Sequence, residues 1–235
     1  MSLIGVIMNL KRKVCFAAAL AWALIPTAGS AFAQGGTWTT RTAMPTARYG
    51  PPAGVIGGKL YVASGCCVTY NSPYTRFKTL EVYDPVSNDW STLSDIPLGV
   101  YGAAAGVIGG KLYSAGGAQA SGNVTNLQIY DPATDAWSTG APMLPAGSGM
   151  AAAVLGGKLY AAGGMNAPNT AGVTTLRIYD PVADSWTTGA DLPMARTFAG
   201  AASLNGKIYV AGGQEASAYF ANLDAYDQPP MPGRR

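Results

Sequence analysis

The stretch VIGGKLYVASGCCVTY, Val55 to Tyr70, is written almost unchanged three more times in the 235-residue chain. The later copies read VIGGKLYSAGGAQA from Val107, VLGGKLYAAGGMNA from Val154 and LNGKIYVAGGQEA from Leu204. Their lysines, Lys59, Lys111, Lys158 and Lys207, lie 52, 47 and 49 residues apart, and Trp38, Trp90, Trp137 and Trp186 keep the same three intervals. Tyr83, Tyr130, Tyr179 and Tyr226 follow at 47, 49 and 47. Such a period marks an array of equal supersecondary units, each too small to bury its own apolar face alone.

Each unit reads as four short strands. A glycine pair such as Gly109-Gly110 between two apolar runs is what a type I′ hairpin turn requires, because both central residues need positive φ. Further on, LQIYDPATDAW is broken at Asp131-Pro132, where the carboxylate bonds its own turn and proline presets φ. The first strand of each unit is built from small residues (Ala103 to Ala105, Ala151 to Ala153, Ala201 and Ala202), which suits strands crowded around an axis. Tyr and Trp on the later strands are large enough to fill the widening wedge between neighbouring sheets.

At 49% hydrophobic and 11% charged the chain is too apolar to be disordered. Residues 1–33 read as an export signal: Lys11-Arg12-Lys13, an uncharged run from Val14, then Ala31-Phe32-Ala33 before Gln34. An uncleaved anchor is the other use of such a run. Cleavage removes three of the 15 basic residues and none of the 12 acidic ones, leaving a balanced charge. No basic excess then remains to attract nucleic acid or an anionic membrane surface. The reading is a secreted or periplasmic protein, with residues 34–228 as one propeller domain and 229–235 as a Pro-rich tail.

The double glycines Gly116-Gly117, Gly163-Gly164 and Gly212-Gly213, the tyrosine of each YDP and the Trp six or seven residues beyond it resemble the kelch repeat. The resemblance runs from residue 38 to 227 and implies an all-β, kelch-type β-propeller, here with four four-stranded blades. Six or seven blades are usual in that family. The segment from Trp38 is a fourth strand lacking its first three, and the last unit ends without a Trp, so the expected closure pairs this N-terminal strand with the last blade. A ring of eight blades made by two chains and an open array satisfy the same count.

The chain has no histidine, which excludes a Ser/His/Asp triad and His-ligated zinc or copper. The kelch family includes secreted copper oxidases related to galactose oxidase; this chain resembles their propeller without the copper site. Asp84, Asp131 and Asp180, with Asp89, Asp135 and Asp184, recur with the turns and read as turn caps. No DxDxDG calcium loop is present, and no metal or cofactor is expected.

Function in an array is sought where repeats differ. Between the second and third strands the four loops run 14, 9, 11 and 9 residues, and the longest follows the altered phrase, where Ser64 and Gly65 replace the glycine pair. It carries Cys66, Cys67, Tyr70, Tyr74, Arg76, Phe77 and Lys78. Aromatic and arginine side chains are enriched at binding hot spots and stack on sugar rings; an aromatic minicore pinning the loop is the alternative. Cys66 and Cys67 fit a strained vicinal disulfide, two reduced thiols or an intermolecular bridge. In kelch propellers these loops open on the same face as the links between blades. Arg48, beside Tyr49, and Arg196 hold equivalent link positions, and by resemblance they and Arg76 would form a cationic patch for acidic ligands; bracing of turns is the competing role. The expected function is non-catalytic binding of a glycan or protein ligand through this face. Two alternatives stand beside it: a sugar-active enzyme resembling the sialic acid mutarotases, using Arg48 with Glu215, and a structural propeller that pairs with a second copy as a homodimer.

Overall fold

In a computed structural model the chain divides into two compact units, Met1–Thr40 and Arg41–Arg235. The structure describes residues 36–66, 75–166 and 171–228; residues 36–40 carry no strand. The proposed signal, the Pro-rich tail, Cys67, Tyr70 and Tyr74 lie outside the described residues. Among the described residues no helix is long and apolar enough to cross a membrane.

The second unit is an array of antiparallel sheets in chain order. Blade 1 holds β1 (Ala53–Ile56), β2 (Lys59–Ala63), β3 (Leu80–Asp84) and β4 (Asp89–Leu93). Blade 2 holds β5 (Ala104–Ile108) and β6 (Lys111–Ala115), then, after a short ladder of β7 (Ala118–Gln119) with β8 (Gly122–Asn123), β9 (Leu127–Asp131) and β10 (Ala136–Gly140). In blade 3 a short ladder pairs β11 (Gly147–Ser148) with β14 (Met165–Asn166), around β12 (Ala151–Leu155), β13 (Lys158–Ala162), β15 (Leu176–Asp180) and β16 (Ser185–Thr188). Blade 4 holds β17 (Gly200–Leu204), β18 (Lys207–Ala211), a ladder of β19 (Gln214–Glu215) with β20 (Ala218–Tyr219), and β21 (Leu223–Asp227). Four blades of a β-propeller are therefore present.

Among the described residues the last sheet has three strands, in the order β17, β18, β21. Inner strands touch in sequence, β1 to β5, β5 to β12 and β12 to β17. Thr42 is tied to blade 1, donating its hydroxyl to Asn88 O at 2.6 Å and accepting Trp90 Nε1–H at 2.9 Å. Blades 1 and 4 leave apolar side chains in water on their outer faces, with Val55 63% and Leu204 58% exposed.

Within each blade the local chemistry follows the sequence. Gly57 and Gly58 have φ of 57° and 78°, as the type I′ turn demands, and Asn205 substitutes for the first glycine in blade 4 at φ 50°. Asp84, Asp131 and Asp180 accept the amide two residues on, at 2.8 to 2.9 Å, and pair with Lys59, Lys111 and Lys158. Those lysines hold the three carboxyls below the usual range. Asp135 and Asp184 cap across blades, accepting Ser94 N–H and Ala141 N–H at 3.0 and 2.7 Å. In blade 1 that position is Asn88, not Asp89: Asn88 has φ 56° and accepts Thr42 N–H.

Packing between blades repeats. Tyr61 meets Tyr130, Tyr113 meets Tyr179 and Tyr160 meets Tyr226, with ring centroids 5.9 to 6.0 Å apart. Each such tilted pair contributes about 0.5–1.5 kcal/mol beyond burial. The small residues of the inner strands are needed: a Cβ added at Gly54 would lie 2.4 Å from Val107 Cγ2, and one at Gly106 2.5 Å from Val154 Cγ2. These contacts separate three apolar clusters, one at each junction.

Candidate functional site

The links that enter each blade converge at one end of the axis. Their turns are Tyr49-Gly50, Tyr101-Gly102, Ser148-Gly149 and Thr197-Phe198, with φ of 58°, 63°, 64° and 54° at the second residue. A relay of backbone bonds joins them: Gly102 N–H to Gly50 O at 2.9 Å, Gly149 N–H to Gly102 O at 2.7 Å and Phe198 N–H to Gly149 O at 2.8 Å. Each first residue bridges to the start of its own blade's long loop, at Cys66, Ala118, Met165 and Gln214. Links and loops therefore share one face, as the kelch resemblance implied.

The loops also interlock around the rim. Arg76 Nε–H donates to Ala118 O at 3.0 Å, Asn123 Nδ2–H to Met165 O at 2.8 Å, and Gly172 N–H to both Glu215 oxygens at 3.0 and 2.9 Å. Each of the first three loops thus holds the next, which fixes the floor between them.

On that floor the four links differ. Tyr49 is 57% exposed and its ring lies 6.1 Å from that of Tyr101; the Arg76 guanidinium covers Tyr101 at 4.5 Å. Ser148 and Thr197 are buried. Phe198 is 42% exposed and stands where the other three links have glycine. A bulky residue in the left-handed region costs about 1–2 kcal/mol. Its ring lies over the neighbouring glycine, where a Cβ on Gly149 would meet it at 3.2 Å. The result is a rigid aromatic floor with a cation at one side, suited to stacking on a flat, hydroxylated or peptide-like ligand.

The anticipated cationic patch takes a different form. The Arg48 side chain has no exposure; it pairs with Glu81 at 2.8 Å and donates to Ser64 O at 2.8 Å and Thr79 O at 3.0 Å. Burial lowers its pKa, against which the Glu81 charge and hydrogen bond act. Arg196 is equally buried and bonds Asp224 and Gly212 O. Both are braces between link and blade, because the third strand offers each a carboxylate. Blade 2 makes the same tie without charge: Gln128 accepts Leu98 N–H at 2.7 Å and donates to Leu98 O at 3.0 Å. With Arg48 held by Glu81, and Glu215 held by Gly172, the Arg48–Glu215 pair that a mutarotase-like reading needs is not assembled. Arg76 stays on the link-and-loop floor, over the Tyr101 ring.

Phe77 pins the enlarged loop, half-buried with its ring 5.8 Å from the Arg48 guanidinium. Ser64 explains the altered phrase. It keeps the left-handed φ of the glycine it replaces (55° against 66° at Gly116), and its buried hydroxyl accepts Val100 N–H at 2.6 Å. The same oxygen lies 2.9 Å from Phe77 O and 2.7 Å from Val100 O, so it fastens loop and link together. Cys66 is buried, its backbone bonded to Tyr49 on one side. Sequence reasoning missed Tyr101 and Phe198; the signal available was their alignment with Tyr49-Gly50 and with the glycine of the other links.

Comparison with known proteins agrees with this geometry. Residues 35–213 match the family described as the KLHDC2/KLHL20/DRC7 Kelch-repeats domain. Kelch-like protein terF of Aspergillus terreus is 31% identical over 84 residues, 35% of this chain and 18% of that protein. Kelch-like protein 35 of Homo sapiens is 30% identical over 86 residues, 37% of this chain and 14% of that protein. The chain therefore spans less than a fifth of either relative. Among solved structures, that titled "Structure of YjhT" superposes with a TM-score of 0.62 at 17% identity, covering 81% of this chain and 85% of that one, which is a likeness of fold.

Proposed function

This chain belongs to the kelch-repeat family, and on that premise we propose that it is an exported, non-catalytic binding propeller that takes a glycan on its link-and-loop face. The observation that carries the reading is Phe198, 42% exposed and held at φ 54° where every other link has glycine, with its ring over the Gly149 turn of the neighbouring link. A strained, exposed aromatic on a floor locked by backbone bonds is costly to the fold and useful to a ligand. Tyr49 and Tyr101 extend the stacking surface, and Arg76 adds a donor for hydroxyl or carboxylate groups. The undescribed tip of the long loop, with Tyr70 and Tyr74, belongs to the same reading. Export rests on the basic cluster, apolar run and Ala31-Phe32-Ala33 ending.

The test is a glycan array probed with the fluorescently labelled chain, followed by calorimetric titration of the strongest hit. Phe198→Gly and Tyr101→Ala are expected to weaken that hit at least about tenfold each, which corresponds to about 1.4 kcal/mol. Equal binding by both variants overturns the assignment of the face. Retention by displayed peptides and by no glycan overturns the glycan and leaves a protein ligand. An intact mass of exported protein beginning at Gln34 checks the signal; retention of residues 1–33 contradicts it.

A further inference from the structure

Blades 1 and 4 each end the array with half of an interface that the other three junctions complete. Where blades meet, the valine and leucine of the later blade seat against the inner-strand glycine of the earlier one: Val107 and Leu112 on Gly54, Val154 and Leu159 on Gly106. Leu112 and Leu159 are fully buried there. Blade 1 carries the same two residues, Val55 and Leu60, but they are 63% and 36% exposed. Blade 4 carries the matching small residue, Ala202, on an exposed stretch of β17. The tyrosines tell the same story. Tyr209 stands where Tyr61, Tyr113 and Tyr160 stand, without a ring partner among the described residues, and its counterpart by position is Tyr83 of blade 1.

The tryptophan seats show the pattern most clearly. Trp90, Trp137 and Trp186 stack on Tyr83, Tyr130 and Tyr179 at 5.1 to 5.3 Å. Each donates Nε1–H to the preceding link, at Thr42 O, Ser94 O and Ala141 O, at 2.8 to 2.9 Å. The next seat in the series would use Tyr226 and Ala190. There the structure has an open cleft of about 310 Å³, lined by Ala190, Leu192, Ala225 and Tyr226 beside β21, whose outer edge has no pairing strand among the described residues. Trp38 fits it by sequence: it stands four residues before Thr42, as Trp90 stands before Ser94, and 52 residues before Trp90.

We propose that two copies of this chain close on one another, the Val55–Leu60 face of one docking on the Ala202–Tyr209 face of the other. The segment from Trp38 of the first copy becomes the fourth strand of the second copy's last blade. By analogy with the register of β9 and β10, Trp38 lies opposite Tyr226 and Thr40 opposite Asp224. The contact is heterologous, joining unlike faces, and repeating it twice closes a ring of eight blades; propellers have about four to eight, so a third copy does not fit. No open sheet edge remains at the junction. The inference stands independently of the identity of any ligand.

The experiment is light scattering of the purified chain together with two variants, Val55→Arg and Ala202→Arg, whose exposed positions leave the fold intact by circular dichroism. The wild-type chain is expected at twice its denatured mass, and each variant alone at the monomer mass. An equimolar mixture of the two variants has one good face of each kind and recovers a dimer. A wild-type monomer overturns the proposal, and a monomer whose Trp38 is shielded from a fluorescence quencher places the two faces within one chain. Variants that remain dimeric overturn the assigned surfaces.

Discussion

Replacing Glu81 with alanine removes the counter-charge from a guanidinium that has no exposed surface, and the consequence can be worked from the contacts. Arg48 keeps its bonds to Ser64 O, Thr79 O and Thr79 Oγ1 at 2.8 to 3.0 Å, but loses the carboxylate at 2.8 Å. Thr46 loses the oxygen that accepts its hydroxyl at 2.5 Å. Breaking one partner of a buried pair costs about 3–5 kcal/mol, because a desolvated charge is left uncompensated. That is a large part of the roughly 5–15 kcal/mol that holds a domain together. Removing both charges, as Arg48→Met with Glu81→Leu, restores a neutral interior and is expected to cost less than either Glu81→Ala or Arg48→Met alone. Urea denaturation followed by tryptophan fluorescence, at neutral pH and with matched slopes, reads all four proteins. Single changes costing under about 1 kcal/mol, or a double equal to their sum, would refute the view that link and blade are clamped by a buried ion pair.

Arg177 holds the position of Glu81, Gln128 and Asp224, yet among the described residues its Nε and Nη1 lack partners and Asn166 alone accepts from it, at 3.0 Å; Arg177→Met is therefore expected to raise the stability measured in urea by about 1 kcal/mol, and a loss would show that the charge is compensated. The carboxyl pKa values of Asp135 and Asp184 are lowered first by the cross-blade amides of Ser94 and Ala141 and then by the tyrosine hydroxyls. A folded pKa below the unfolded one contributes stability above about pH 4 that is lost as pH falls through the lower value, so the urea midpoint should drop in acid and drop less in an Asp135→Asn, Asp184→Asn double variant; identical acid profiles would contradict this. Gly106→Ala forces a methyl to 2.5 Å from Val154 and is expected to cost about 1–3 kcal/mol, recovered in part by Val154→Ser, the residue blade 4 uses at that place as Ser203; no recovery would refute the seating of valine on glycine.

The fold was legible because three side-chain types kept one period and because turns carry their own chemistry. Gly-Gly and Asp-Pro announce φ values and local hydrogen bonds that do not depend on distant partners, and all appear where the spacing placed them. Arg48 and Arg196 were harder. Their repeat position was readable, but their direction is set by Glu81 and Asp224, some thirty residues further along, and a buried ion pair has the same sequence as an exposed cation. Phe198 was hidden for the opposite reason: an apolar residue after threonine looks like core until the backbone shows it in a glycine's place. The N-terminal segment was recognised by its period, since Trp38 keeps the 52-residue interval to Trp90, but a repeat pattern gives the register of a strand and not the sheet that receives it.

Hydrogen exchange of the chain with and without the array-selected glycan tests the central claim most directly, because it reports where the ligand sits without presuming a residue. The account predicts added protection at the four link turns around Gly50, Gly102, Gly149 and Phe198 and in the loop at Arg76, with the outer strands β4, β10 and β16 unchanged. Protection confined to the outer strands or to the β21 cleft, with the links unaltered, would contradict it.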